Sequence, residues 1–243
     1  VKPCQPHQLS NSLSMNKQVV IVGASRGIGI ELTRFFSRLP DFSIIALARN
    51  CENLKKEFGQ SEQVNIFPFD LEGDIPVQLA NIPFSEEGID FLINNAGKLV
   101  KKPFLSLSQK DIDSSFRVNV VGVMQTVQCL IKHFNKNFCH VVNISSMGAY
   151  QGSVKFPELS AYAASKAALC NFTELFAEEF KSSPYKMNCL CLGAVQTEML
   201  EEAFPGYLAP LTAPQMAAFI GEFTLKNGFF MNGKILPISL STP

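Results

Sequence analysis

The stretch "VGASRGIGIEL", residues 22–32, places Gly23, Gly27 and Gly29 directly after the apolar run "QVVIVG" (18–23). Glycine inside a regular element costs roughly 0.5–1 kcal/mol relative to alanine, so this concentration of glycine requires a cause. Gly23 permits a tight turn, Gly27 lets the backbone approach a ligand, and Gly29 lets the next helix pack close to the strands. The stretch therefore predicts a strand, a turn and a helix whose N-terminus receives a phosphate group.

Short apolar runs alternate with helical patterns along the rest of the chain. Most runs are continuously apolar, as strands buried on both faces are; they fall at 18–23, 43–48, 64–69, 90–95, 140–145, 187–192 and 234–239. The helical patterns fall at about 27–39, 51–59, 111–134, 161–181 and 213–226. Two of them begin with capping sequences: Ser108-x-x-Asp111 for the pattern at 111–134, and Thr212-x-x-Gln215 for the pattern at 213–226. The alternation predicts an α/β fold, a Rossmann-like doubly wound parallel sheet of about seven strands with helices on both faces.

Charge and hydropathy exclude two classes of partner. Lys+Arg and Asp+Glu both number 21 in the 243 residues, and no basic run marks a nucleic-acid surface. The apolar runs are much shorter than the roughly 20 residues of a membrane span. We therefore expect neither nucleic acid nor membrane as a partner. The polar residues 1–14 are expected to be an extension, disordered or introduced by cloning, before a single domain at 15–243.

Seven cysteines stand at irregular spacings without a C-x-x-C pair. Such thiols suit a reducing cytosol, so a cytoplasmic location is expected. Cys189 and Cys191 alternate in an apolar run and would face one side of a strand. Two such ligands could begin a metal site, but no further His or Cys pattern follows them. Buried apolar thiols are the preferred interpretation, and no metal is expected.

Three motifs occur in an order that is typical of one enzyme family. They are "VGASRGIG" at 22–29, "NNAG" at 94–97 and "YAASK" at 162–166. Over residues 17–240 the chain resembles the short-chain dehydrogenases/reductases, although Val22 replaces the family's usual threonine. The resemblance implies a nicotinamide-dependent oxidoreductase that interconverts a ketone or aldehyde and an alcohol. The alternative is a nucleotide-sensing protein that has the same fold and no turnover.

Tyr162 and Lys166 stand four residues apart on a predicted helix, so their side chains share one face. A nearby cation favours the phenolate, and we expect it to lower the tyrosine pKa from its usual value of about 10. Tyr162 is then a general acid for a carbonyl oxygen. On spacing alone, the pair could equally be a surface contact of an amphipathic helix. The resemblance adds Ser146, which orients the substrate, and Asn119, which interrupts a helix and holds a water linking Lys166 to solvent.

Cofactor choice depends on the end of the second predicted strand, "ALARN", which carries Arg49 where an NAD-binding protein has an acid. Arg26 lies in the glycine turn. Either arginine alone could be an ordinary surface charge, but two guanidinium groups near one ribose suit a 2′-phosphate, so NADP(H) is predicted. With the positions that the family resemblance implies, the full predicted cofactor site comprises Gly23, Ser25, Arg26, Gly27, Ile28, Gly29, Arg49, Asp70, Leu71, Asn95, Ala96, Gly97, Tyr162, Lys166, Val195 and Thr197.

Two features concern the substrate and the assembly. Residues 198–212 are apolar-rich and follow the sixth strand, which makes them either a lid over an apolar pocket or an amphipathic cover of the core. By resemblance, the helices at 111–134 and 161–181 pair across a twofold axis in a homodimer or homotetramer. Their wide apolar faces favour this pairing (Val127, Leu130, Ile131, Leu169, Phe172 and Phe176). Broader coverage of the sheet is the alternative.

Overall fold

Seven parallel strands form the main sheet of the computed structural model, which describes residues 17–240. The strands in chain order are β1 (Lys17–Val22), β2 (Phe42–Ala48), β3 (Val64–Pro68), β4 (Phe91–Asn94), β5 (Cys139–Ser146), β6 (Tyr185–Leu192), β7 (Val195–Gln196), β8 (Leu211–Thr212) and β9 (Ile235–Ile238). The main sheet has the order β3-β2-β1-β4-β5-β6-β9, and β7 and β8 form a separate parallel pair. The doubly wound parallel sheet of about seven strands is therefore confirmed.

Eight α-helices surround the sheet within the described residues. They are α1 (Gly27–Phe36), α2 (Glu52–Phe58), α3 (Ile75–Leu79), α4 (Gln109–Phe116), α5 (Gly122–Leu130), α6 (Ser160–Glu179), α7 (Glu198–Ala203) and α8 (Ala213–Lys226). Both predicted capping boxes are present, at α4 and at α8. Helix α3 was not predicted, because it is too short to show a helical period. Helix α7 lies in the segment 198–212, for which an amphipathic helix covering the core was one of the two interpretations.

Successive residues of each buried strand point to opposite faces of the sheet. Val19 and Ile21 of β1 pack with α1, α2 and α8, whereas Val20 and Val22 pack with α3, α5 and α6. Both faces are covered, which explains why the strands are continuously apolar in sequence. No helix within residues 17–240 has the length and apolar character needed to cross a bilayer.

The helix predicted at 111–134 is interrupted. A π-helical turn, Arg117–Val121, separates α4 from α5 and is centred on Asn119. The apolar period continues through the turn, so the pattern alone predicts one helix. The interruption agrees with the expectation drawn from the family.

The apolar faces invoked for assembly mostly cover the sheet. Val127, Leu130, Leu169 and Phe176 are all buried in the core. These four residues therefore support the alternative interpretation, broader coverage of the sheet. The extension expected at 1–14 lies outside the described residues.

Candidate active site

A cavity of about 930 Å³ opens at the carboxyl ends of the strands, beside the point where the strand order reverses between β1 and β4. In doubly wound sheets ligands bind at this point. Most of the predicted site residues line the cavity: Gly23, Ser25, Arg26, Gly27, Ile28, Arg49, Asp70, Leu71, Asn95, Ala96, Gly97, Ser146, Tyr162, Lys166, Val195 and Thr197. Gly29 and Asn119 lie behind the cavity wall.

The turn after β1 has no room for side chains at two of its glycines. Gly23 has a φ of +85°, and a Cβ there would lie 2.6 Å from the Cα of Ala96. A Cβ on Gly29 would lie 1.9 Å from the carbonyl oxygen of Gly23. The Asn95 side chain donates a hydrogen bond of 2.9 Å to that oxygen. The turn, the start of α1 and the loop after β4 are therefore packed backbone against backbone at the cavity rim.

The N-terminus of α1 faces this cavity. The helix begins at Gly27, and no side chain among the described residues caps it. Its first N–H groups carry the positive end of the helix dipole, which favours an anion. Arg49 is exposed at the same cavity and makes no ion pair within residues 17–240. The open N–H groups and the positive charge fit a dinucleotide pyrophosphate.

Arg26 is engaged by a partner that the sequence did not indicate. Its guanidinium donates to the Glu202 carboxylate of α7 at 2.5 Å, and this hydrogen bond holds the pKa of Glu202 below its usual value. Both side chains are exposed, 45% and 62% respectively. The pair links the glycine turn to the segment that was predicted to be a lid or a cover. The Glu202 carboxylate thus occupies two nitrogens of the Arg26 guanidinium at the cavity.

Tyr162 and Lys166 project from one face of α6 into the cavity floor. Lys166 is buried, its ammonium donates a hydrogen bond of 2.7 Å to the carbonyl oxygen of Ile144, and burial lowers its pKa to about 8. Burial also raises the pKa of Tyr162 to about 12, although the neighbouring Ser146 hydroxyl opposes this shift. The expected lowering of the Tyr162 pKa by Lys166 is therefore wrong for this structure, because desolvation of the phenolate dominates.

Asn119 is fully buried in the π-helical turn. Its side-chain oxygen accepts a hydrogen bond of 2.8 Å from the backbone N–H of Lys98, and its amide donates to Lys98 O at 3.0 Å and to Ser165 Oγ at 2.9 Å. Ser165 in turn donates to the carbonyl oxygen of Tyr162. Asn119 thus connects the loop after β4 to the helix that carries Tyr162. Its role in holding a water remains a prediction.

The outer part of the cavity is apolar. The sequence predicted the part that comes from residues 198–212, but not the part that comes from the loop between β5 and α6. Residues of α7 and the loop after it face apolar residues from the loop between β5 and α6: Met147, Val154, Phe156, Leu200, Phe204 and Tyr207. The second group was missed because the loop has no regular period. Lys101 lies 4.3 Å from the centre of the Phe204 ring and donates to the carbonyl oxygen of Ala203. These contacts attach the C-terminal end of α7 to the loop after β4.

Comparison with known proteins agrees with this site. The family model for the short chain dehydrogenases matches residues 17–207. The oxidoreductase UcpA of Salmonella typhimurium is 31% identical over 190 residues, which are 76% of this chain and 72% of that protein. A fatty acyl-CoA reductase of Acinetobacter baylyi is 29% identical over 83% of this chain and 70% of its own length.

Comparison with solved structures also identifies nicotinamide-binding proteins with the same fold. A 4-hydroxyisoleucine dehydrogenase complexed with NADH superimposes with a TM-score of 0.81 at 26% identity, covering 92% of this chain and 97% of that one. ElxO with NADP bound superimposes with a TM-score of 0.79 at 25% identity and the same two coverages. With the sheet order, the glycine turn and the Tyr162–Lys166 pair in place, the chain belongs to the short-chain dehydrogenase family of oxidoreductases.

Proposed function

We propose that the chain is an NADP(H)-dependent enzyme that interconverts a carbonyl compound and an alcohol, with Tyr162 as general acid and base. One observation carries the proposal. Ser146, Tyr162 and Lys166 line the floor of the cavity whose rim holds the glycine turn and the open N-terminus of α1. A proton donor and a dinucleotide cradle thus share one enclosed space.

The residues at the floor divide the proton chemistry between them. The bound nicotinamide supplies or accepts the hydride. The Ser146 hydroxyl donates a hydrogen bond to the carbonyl oxygen and orients the substrate. Tyr162 delivers its proton to the same oxygen. The Lys166 ammonium, on the same face of α6, stabilises the phenolate that remains. Asn119 holds the backbone of α6 in place through Ser165, and by resemblance it also binds the water that returns the proton.

The preference for NADP(H) is supported by charge. Arg49 presents a guanidinium without an ion pair among residues 17–240, at the end of β2 where an acid would select NAD. ElxO, one of the solved relatives, binds NADP, whereas the 4-hydroxyisoleucine dehydrogenase binds NADH. Both cofactors therefore occur on this fold, and the arginine is the feature that favours the phosphorylated one.

An apolar substrate is supported by the outer cavity wall. The aromatic rings of Phe156, Phe204 and Tyr207 face the space above the catalytic residues. Such a wall favours bulky hydrophobic or aromatic ketones and aldehydes over sugars. The relatives named fatty acyl-CoA reductase and carbonyl reductase family member 4, from Xenopus laevis, agree with a carbonyl substrate.

Replacing Tyr162 by phenylalanine tests the proposal. Tyr162→Phe removes the proton donor alone, so turnover should fall by about 10²–10⁴-fold while NADPH binding is unchanged. NADPH oxidation is followed by absorbance with a panel of hydrophobic ketones and aldehydes. Turnover near that of the wild type in the variant would contradict the role of Tyr162. A wild type that binds NADPH tightly and turns over none of the panel would favour the nucleotide-sensing alternative.

Assembly and location complete the proposal. We expect a homodimer or homotetramer through α4, α5 and α6, supported by the family resemblance and by the exposed apolar side chains of Val121, Met124 and Leu175. Light scattering that shows only monomer at micromolar concentration would contradict it. The cysteines of the described residues are free thiols, which supports a reducing compartment such as the cytoplasm.

A further inference from the structure

Three buried thiols converge directly behind the floor of the cavity. Cys170 Sγ lies 3.8 Å from Cys189 Sγ and 3.6 Å from Cys191 Sγ, and all three sulfurs lie within 4.8 Å of one another. Cys189 and Cys191 are fully buried, and Cys170 is 8% exposed. We refer to Cys170, Cys189 and Cys191 as the thiol cluster.

The sheet register and the helix period bring the thiol cluster together. Cys189 and Cys191 are two residues apart on β6, so both side chains point to the face that α6 covers. Cys170 lies one helical turn after Lys166 on that helix and reaches down between them. Ser145, the register partner of Cys191 on β5, accepts a hydrogen bond of 3.4 Å from the Cys170 thiol. Sequence analysis missed the cluster because its third member comes from a different element.

The spacing of the sulfurs corresponds to that of ligands around one metal ion. Bonds of about 2.3 Å from a three-coordinate metal to sulfur place neighbouring sulfurs roughly 4.0 Å apart. The two measured separations lie within a few tenths of an ångström of this spacing. A metal ion therefore requires only a small adjustment of the side chains.

A buried cation stands beside the thiol cluster. Lys166 lies one helical turn before Cys170 on α6, and its ammonium interacts electrostatically with all three sulfurs. The negative charge that metal ligation places on the sulfurs is therefore partly offset inside the core.

We propose that the thiol cluster is a binding site for a single copper(I) ion. Thiolates select soft cations, copper(I) among them, whereas structural zinc is almost always held by four ligands. Within the described residues, the group that could hold a metal contains three such ligands and no fourth His, Cys, Asp or Glu. Three sulfurs in a dry site suit a three-coordinate copper(I) better than zinc.

The binding step balances in protons and charge. All three thiols release their protons to solvent, because cysteine ligates metals as a thiolate, and copper(I) with three thiolates carries two net negative charges. The Lys166 ammonium offsets one of these charges inside the core. Ser145, which contacts Cys170, and Lys166 both line the cavity, so we expect the ion to enter from that side.

The test is a competition for copper(I) under anaerobic conditions. The starting protein carries Cys4→Ser, Cys51→Ser and Cys129→Ser, which removes the thiols outside the core and the one outside the described residues. Copper(I) is supplied as its acetonitrile complex in the presence of the chromogenic chelator bicinchoninate. We expect this protein to withdraw one copper per chain. Replacing Cys170, Cys189 or Cys191 by serine should lower the affinity by about 100-fold or more, because one ligand is lost.

Cys139→Ser is the matched control, since Cys139 is equally buried on β5 and stands outside the thiol cluster. Its affinity should equal that of the starting protein. X-ray absorption at the copper edge of the loaded starting protein should show three sulfur neighbours, and this measurement stands even if a cluster variant fails to fold. Retention of all copper by the chelator, equal loss in Cys139→Ser, or displacement of copper by equimolar Zn²⁺ would overturn the proposal.

Discussion

Lys166 keeps its ammonium in the protein interior, with 3% of the residue exposed. Burial lowers its pKa from 10.5 to about 8, so between these two pH values the unfolded chain binds the proton and the folded chain does not. The contribution of the neutral lysine to the free energy of unfolding is therefore fully present above pH 10.5 and falls as the pH is lowered, until the loss is complete below about pH 8. At pH 7 the buried charge costs about 3 kcal/mol.

Lys166→Met should therefore abolish turnover without destabilising the fold at pH 7. The substitution removes the cost of the buried charge, but it also leaves the carbonyl oxygen of Ile144 without its hydrogen-bond donor, at a cost of about 1–3 kcal/mol. Urea unfolding of the variant and the wild type is measured at pH 7 and pH 10. The stability difference should shift in favour of the wild type by about 2 kcal/mol on going to pH 10, where its lysine is closer to neutral. An identical difference at both pH values would contradict burial of the charged form.

Arg49 should contribute more to the choice of cofactor than Arg26 does. A charge-assisted hydrogen bond to phosphate contributes about 1.5–3 kcal/mol, so Arg49→Ala should weaken NADPH binding by roughly 10- to 150-fold and leave NADH binding unchanged. Arg26→Ala should have a smaller effect, because the charge of Arg26 is already offset by its ion pair with Glu202. Calorimetric titration of both cofactors checks this. Arg38→Ala, an exposed arginine away from the cavity, is the control; equal losses for NADPH and NADH in Arg49→Ala would remove the basis for the NADP(H) proposal.

Sequence spacing could locate Tyr162 and Lys166 because both lie on one helix, a single turn apart. Contacts between distant elements leave no such signal. Glu202 meets Arg26 across 176 positions, and Cys170 meets Cys191 only because α6 crosses β6. The pKa of Tyr162 was missed for the same reason, since it depends on how many atoms of other elements surround the phenol. Motifs and helical spacing within one element can thus be recognised in the sequence. The burial of a side chain and its contacts with other elements depend on the assembled fold.

Among the elements, the strands were the most predictable and the helix that bears Asn119 was the least. Each strand of the main sheet begins and ends within about two residues of its apolar run, because burial on both faces requires that run. The π-helical turn adds one residue to a helix without changing which side chains are apolar. Its position therefore depends on the contacts of Asn119 with Lys98 and Ser165.

Helix α7 is held on two sides, by Arg26 at Glu202 and by Lys101 at Ala203 and Phe204. If it covers the substrate, Phe204→Ala should raise the KM for a bulky aromatic ketone by about 10-fold, since a large apolar contact is lost. NADPH affinity should not change. Leu208→Ala is the control, because Leu208 belongs to the same segment and is 85% exposed. Unchanged kinetics in Phe204→Ala would leave α7 a cover of the core.

At the scale of the whole molecule, one histidine connects three elements in the core. His140 of β5 accepts a hydrogen bond from the Asn188 amide of β6 at 3.0 Å, and its other ring nitrogen donates to the carbonyl oxygen of Thr224 in α8 at 2.9 Å. Burial lowers the His140 pKa to about 4. The neutral ring therefore connects β5 and β6 of the sheet to helix α8, which packs against one face of it.

Acid should destabilise the protein through His140 between pH 6.5 and about 4. The pKa of His140 is lower in the folded chain than in the unfolded chain, so the neutral ring stabilises the fold fully above pH 6.5. This contribution to the free energy of unfolding is about 3 kcal/mol, and it is lost as the pH falls to about 4. The lowered pKa of His133 acts in the same direction. Urea unfolding measured at several pH values between 6.5 and 4 should show this loss in the wild type and a shallower slope in His140→Gln. Parallel slopes would show that His140 is not the group responsible.

The strand order has a consequence for the way the protein is synthesised. Among the strands of the main sheet, β1 precedes the others and lies inside the sheet; β2 and β3 add to one side of it, and β4, β5, β6 and β9 add in turn to the other. Each later strand that leaves the ribosome thus finds its neighbour already made. The edge of β1 that faces β4 stays open longest, because β2 and β3 are translated before the backbone N–H of Asp90 arrives to donate to the carbonyl oxygen of Gln18. A ribosome that stalls between β3 and β4 would present that edge to other nascent chains, which makes this part of translation the step at which aggregation threatens the sheet most.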